Sequence, residues 1–170
     1  MAAELESASP GTMDGPLVLV FTLDERLFSL AVTSVERVVA AVEVTPLPGA
    51  PDVVLGVVDV AGALVPVLDL RRRLGVAPRE VTVDDQFVLT QTPRGLVAVV
   101  VDRVTSVSRL SADAARSLGE ACAPVGCVVT ALHTAEGLVL ALDGDCLLSD
   151  VEAAACEAAL SGVPFPRGEP

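Results

Sequence analysis

His133 is the single histidine of the chain, and with Cys122, Cys127 and Cys146 it makes the one set of side chains whose types suit a soft divalent metal, spaced C-x4-C-x5-H-x12-C. That spacing matches no compact zinc module. A thiol among Ala and Val residues is more commonly a small buried apolar group. The carboxylates Asp59, Asp69 and Asp102 lie within or beside apolar runs, where a buried acid needs hydrogen-bond donors or a cation. Asp69 reads as the N-cap of a turn at Leu70 to Leu74, and Asp102 as a partner for Arg103 or the backbone. Sequence positions alone do not make an acid–base pair. There is no glycine-rich phosphate loop, nucleophile elbow or zinc-protease helix. The expectation is a protein without catalytic residues, metal or cofactor.

The elements that would have to position any site centre on Pro46 to Arg73. Pro46, Pro48 and Pro51 remove backbone donors and fix φ, so the chain there is an extended, ordered loop. Leu55 to Val60 and Leu64 to Leu68 read as a hairpin across Ala61-Gly62, with Pro66 at an edge or bulge. One helical turn follows, Asp69 to Leu74, stopped by Gly75.

Leu17 to Leu23 and Leu27 to Val32 alternate around Asp24-Glu25 and predict an opening hairpin. Ser34 to Val44 is ambiguous: Val35, Val38, Val39 and Val42 fit a helical face, while the β-branched content of Val38 to Val44 favours a strand after one short turn. Val76 to Asp85 reads as a surface connection, and the join between two structural halves is expected there. Phe87 to Thr92 and Leu96 to Asp102 make a second hairpin, with Thr105 to Leu110 continuing the sheet. Ser111 to Ala123 permits a short helix or an irregular loop. Val125 to Leu132 and Leu138 to Leu142 make a third hairpin. Ser149 and Glu152 have capping-box spacing before an Ala-rich helix to Leu160, stopped by Gly162 and Pro164. Short strands punctuated by Gly and Pro predict an all-β barrel or sandwich.

The net charge of -12 excludes a nucleic-acid binder, which needs clustered cations. The one basic run, Arg71-Arg72-Arg73, reads as a solvated helical face. No run of about 18 apolar residues occurs, so no direct membrane insertion is expected. Residues 1–16 lack a basic, apolar leader and read as a disordered arm, which makes cytoplasm the expected location and disulfides unexpected. Lys, Ile, Asn, Tyr and Trp are all absent, a bias that reflects base composition more than function.

Three stretches in order carry a resemblance. Val20-Phe21-Thr22-Leu23 with Phe28, then Pro46-Leu47-Pro48-Gly49-Ala50-Pro51 through Gly56-Val57-Val58-Asp59-Val60-Ala61-Gly62 to Val65-Pro66-Val67-Leu68-Asp69-Leu70-Arg71, then Val100-Val101-Asp102-Arg103-Val104 with Val107 and Leu110 resemble CheW-type chemotaxis coupling proteins over about residues 17–148. The resemblance implies two small five-stranded β-barrels packed over a shared core, with chain ends crossing between them, followed by a C-terminal helix and tail at 149–170. It implies a scaffold that joins the regulatory domain of a CheA-type histidine kinase to the cytoplasmic tip of a methyl-accepting chemoreceptor. Carried over by position, the kinase surface takes Arg37, Val42, Val44, Gly56, Asp59, Ala61 and Gly62, and the receptor surface takes Val32, Val35, Val38, Val100 and Asp102.

Two positions depart from the family pattern. Its usual Asn-Leu-Arg-Gly turn is Asp59-Val60-Ala61-Gly62 here, and Arg37 stands where an acid is expected after Val35-Glu36. Both signs of an opposite-charge pair are therefore lost, which suggests a divergent chemosensory cluster with altered partners. The alternatives are a competitor that binds only kinase or only receptor and, more remotely, a metal protein or an enzyme.

Overall fold

The computed structural model of the chain describes residues 15–109, 115–116, 127–134 and 136–162. Most of the expected N-terminal arm, Leu110, Cys122, the start of the third hairpin at Val125 and the tail beyond Gly162 lie outside these residues. Of the expected helix or loop at Ser111 to Ala123, only Ala115 and Arg116 are described, and their backbones pair as a short strand.

Among the described residues, eleven strands form two sheets. The first contains β1 (Leu17–Leu23), β2 (Arg26–Ala31), β8 (Arg103–Arg109), β9 (Ala115–Arg116), β10 (Val128–Thr134) and β11 (Gly137–Leu142), in the order β8-β1-β2-β11-β10-β9. The second contains β3 (Val35–Ala40), β4 (Val54–Val60), β5 (Ala63–Leu68), β6 (Gln86–Thr92) and β7 (Gly95–Val101), in the order β3-β6-β7-β5-β4. Since β9 is a two-residue stub, each half has five principal strands, as expected. Among the described residues neither sheet closes by a continuous ladder: β9 is an edge strand paired with β10 alone, and one antiparallel bridge, Thr45 to Val57, joins the chain after β3 to β4.

Packing explains why these strands read as near-continuous apolar runs. In β1, Leu19, Phe21 and Leu23 face a core shared by both sheets, while Val18 and Val20 face a smaller cluster with Leu132 and Val139. In β7, Val97, Val99 and Val101 enter the shared core and Ala98 enters the second sheet's own cluster with Phe87 and Leu89. A strand covered on both faces loses the apolar–polar alternation of a half-exposed one. Phe21 and Phe28 stack across β1 and β2, with ring centroids 6.2 Å apart.

The chain changes sheets at the short 3-10 turn Val32–Ser34 and again at Asp102, between β7 and β8. The segment 76–85, expected to join the halves, instead links β5 to β6 inside the second sheet. The strand foreseen at Val38 to Val44 starts earlier, at Val35, and ends at Ala40. Pro66 is not at an edge: β5 lies between β4 and β7, but the parallel ladder to β7 begins one residue later, at Val67.

The local signals hold. Asp24 and Glu25 turn β1 into β2 with positive φ at both residues, and Ala61 and Gly62 do the same between β4 and β5. Helix α1 (Leu70–Leu74) is capped by the Asp69 carboxylate at Arg72 N–H and ended by Gly75 at φ 72°. Helix α2 (Asp150–Gly162) opens with the reciprocal capping box: Ser149 N–H donates to Glu152 Oε1 at 2.9 Å and Glu152 N–H to Ser149 Oγ at 3.1 Å.

Candidate functional site

An open groove of about 790 Å³ runs beside β4, between the chain leaving β3 and the connection before β6. One wall carries Val42, Val44 and Pro46, the floor Leu55, and the other wall Pro78, Val81 and Val83. Val42 is 58% exposed and Val83 85%, so the rim presents apolar side chains to solvent.

The first wall owes its position to a missing side chain. Thr45 N–H donates to Val57 O at 3.0 Å, and Val57 N–H to Thr45 O at 2.8 Å, which draws the segment after β3 across β4. Directly beneath passes Gly56, where a Cβ would lie 2.1 Å from Thr45 O and 2.8 Å from Val44 Cγ1. Only glycine admits that approach.

The second wall is fixed by charge. Arg79 donates to Asp85 Oδ1 at 2.8 Å, to Asp102 Oδ1 at 2.6 Å and to Glu80 O at 3.0 Å, while the buried Asp85 accepts from Thr82 N–H at 2.8 Å. Arg71 continues the network between the sheets, pairing with Asp24 at 2.8 Å and with both oxygens of Asp102 at 2.8 and 2.9 Å, and donating to Ala77 O. Burial works to raise the Asp102 carboxyl, but Arg71, the Asp24 N–H and Arg79 outweigh it and hold it below the usual carboxylate range.

This network corrects two expectations. Arg71 to Arg73 is not a solvated face: Arg71 is buried, Arg73 pairs with Glu152 of α2, and Arg72 alone keeps an exposed side chain, at 52%. Asp102 has the backbone partner expected, the Asp24 N–H, but its side-chain partners are Arg71 and Arg79 and not Arg103.

The remaining candidates divide. Val42 and Val44 line the groove together, and Gly56 is buried under them. Asp59 accepts from Gly62 N–H at 2.8 Å, holding the exposed Ala61-Gly62 tip of the β4–β5 hairpin. Arg37 is exposed on β3, at the opposite end of the strand order from β4, and makes no ion pair among the described residues. Val32, Val35 and Val38 are half-buried against the shared core, whereas Val100 packs on the second sheet's cluster. Val81 and Val83 were missed in the sequence because charged neighbours made 76–85 read as a bare connection; two valines alternating with polar residues were the available signal. Of the metal-type residues, Cys127 is buried beside Cys146, and His133 is exposed on β10.

The family model of the CheW-like domain matches residues 17–152. The chain belongs to the CheW-like domain family. Among its relatives, the chemotaxis protein CheW of Rhizobium meliloti is 30% identical over 100 residues, covering 59% of this chain and 64% of its own. That of Thermotoga maritima is 31% identical over 94 residues, covering 55% and 62%, and that of Klebsiella aerogenes 30% over 112 residues, covering 65% and 66%. The matches thus span a little under two thirds of these relatives' length. The crystal structure of the scaffolding protein TtCheW from Thermoanaerobacter tengcongensis superposes with a TM-score of 0.73 at 22% identity, over 81% of this chain and 95% of that one. It has the same fold, so the two sheets, their crossing chain and the C-terminal helix are the architecture of a CheW-like domain.

Proposed function

We propose that this CheW-like domain is a non-enzymatic adaptor of a chemosensory array, holding the regulatory domain of a CheA-type histidine kinase and the cytoplasmic tip of a chemoreceptor at the same time. The observation that carries this reading is the open groove beside β4 in a chain of this family, with Val42 on its rim and Val44 in its wall among charged neighbours such as Glu43, Arg72 and Glu80. The groove takes the kinase domain, and the surface around Val32, Val35 and Val38 takes the receptor tip. Such a protein makes and breaks no bond. It acts by placement, raising the effective concentration of kinase at receptor and passing receptor state between two bound surfaces. Among the described residues no helix is long and apolar enough to cross a membrane, which suits a protein recruited from the cytoplasm to receptors.

Calorimetry with the isolated regulatory domain tests the assignment of the groove, since a chain without Trp or Tyr has little intrinsic fluorescence. Val42→Arg is expected to weaken kinase-domain binding by about tenfold or more, about 1.4 kcal/mol. It should leave the melting temperature and receptor binding unchanged, because Val42 is 58% exposed. Undiminished kinase affinity would remove the groove from the reading. A competitor that binds one partner only is favoured by Ala61, a short side chain at an exposed hairpin tip where the resemblance expects an arginine.

A further inference from the structure

We propose that Cys127 and Cys146 form a dithiol that hydroperoxides oxidise to a disulfide, and that this bond alters the surface around Val32 to Val35 through the turn Gly144–Cys146. The second half of the proposal rests on the adaptor reading above.

The backbone sets the two cysteines against each other. Cys127 immediately precedes β10, and its carbonyl accepts from Asp143 N–H at 2.8 Å, extending the β10–β11 ladder by one step. The chain then folds back in the 3-10 turn Gly144–Cys146, with Cys146 N–H on Asp143 O at 3.0 Å and the Cys146 thiol on Asp143 Oδ2 at 3.4 Å. Both cysteines are thus tied to Asp143, Cys127 through its carbonyl and Cys146 through its N–H and thiol, with Cys146 exposed and Cys127 buried. Beside Cys127 lies Arg73, whose Nε is buried without a hydrogen-bond partner.

The route to the receptor surface is short. A Cβ placed on Gly144 would lie 3.7 Å from both Cβ and Oγ of Ser34 and 3.9 Å from Thr90 Cγ2. Ser34 belongs to the turn Val32–Ser34 that leads into β3. A cross-link that pulls Cys146 towards β10 is therefore expected to shift the turn that passes beside Ser34, between Val32 and Val35.

The chemistry balances with hydrogen peroxide as oxidant. The exposed Cys146 sulfur attacks the peroxide, giving its sulfenic acid and one water. The Cys127 sulfur then attacks the Cys146 sulfur and forms the S–S bond, releasing a second water. Two thiols are oxidised and one peroxide is reduced. Burial first, then neighbouring Cys146, pushes the Cys127 thiol up to about 12, against the pull of Arg73; burial and Asp143 raise Cys146. Thiolate is scarce at neutral pH, so the pair responds to sustained oxidant, and its oxidation rate rises roughly tenfold per pH unit below the thiol values.

The full chain treated with hydrogen peroxide and mapped by mass spectrometry is expected to lose about 2 Da per disulfide formed, with Cys127 and Cys146 in one cross-linked peptide. Cys146→Ser abolishes the cross-link and Cys156→Ala keeps it. The oxidised chain is expected to bind a receptor-tip fragment about fivefold more weakly, reversibly with dithiothreitol. A disulfide to Cys122 or Cys156 instead, or Cys146 taken to sulfinic acid with no cross-link, would overturn the proposal. Equal affinity of oxidised and reduced protein would overturn the link to the receptor surface. Failure of the reduced protein to bind the tip at all would count against the adaptor reading, and the cross-link would still be decided by its mass.

Discussion

At the scale of single residues, the fold is held by a few side chains whose partners come from distant parts of the chain. Asp102 receives bonds from Arg71, 31 residues away, from Arg79, 23 residues away, and from the Asp24 N–H, 78 residues away. Its carboxyl is depressed in the folded state, so its contribution to stability is fully present above the unfolded value of about 4 and is lost as pH falls through the lower folded value. Asp102→Asn is expected to cost on the order of 2 kcal/mol at pH 7, with Arg71 left short of a partner. The difference from the unmodified protein should narrow towards pH 3 in denaturant melts. A gap that stays constant with pH would assign the loss to packing. Gly56 is held by close contact in place of charge. Gly56→Ala is expected to break the Thr45–Val57 bridge, cost roughly 3 kcal/mol and weaken kinase-domain binding through the displaced Val44. Full affinity in a folded Gly56→Ala protein would mean that the wall does not matter. These contacts were closed to sequence reading. A neighbour such as Arg103 is visible on the page, whereas Arg71 and Arg79 become partners only once two sheets meet.

At the scale of elements, what the sequence revealed was whatever is decided within a few residues. Asp69 caps α1, Ser149 and Glu152 cap α2, and Asp24-Glu25 and Ala61-Gly62 turn the hairpins, each by bonds or dihedrals spanning at most four positions. Sheet membership was not legible, because β7 and β8 both read as apolar or alternating strands, and nothing in their pattern says that the first pairs with β6 and the second with β1. The same holds for the parallel pairs β2–β11 and β5–β7, which join segments far apart in sequence. The join between halves was accordingly misplaced at 76–85. Capping also gives a prediction of its own. Ser149→Ala is expected to cost about 1 kcal/mol and to raise amide exchange in the first turn of α2. Because Glu152 also holds Arg73, the effect should extend to α1. Exchange confined to α2 would show that the two helices are not coupled.

At the scale of the whole molecule, two sheets share one core, and the surfaces proposed for two partners lie on segments that leave that core. The groove wall at Val42 and Val44 and the turn at Val32 flank the same strand, β3, so an adaptor built this way can feel both partners through one element. The candidate site was legible from family resemblance at Val42 and Val44, and hidden where the far wall comes from Val81 and Val83. Coupling requires simultaneous binding. It is tested most directly by titrating the full chain with the regulatory domain of the CheA-type kinase from its own genome, then with a chemoreceptor-tip fragment, then with the second partner added to the saturated first complex. A coupling adaptor should bind each with micromolar affinity and form a complex containing all three. Binding of either partner that excludes the other would contradict it.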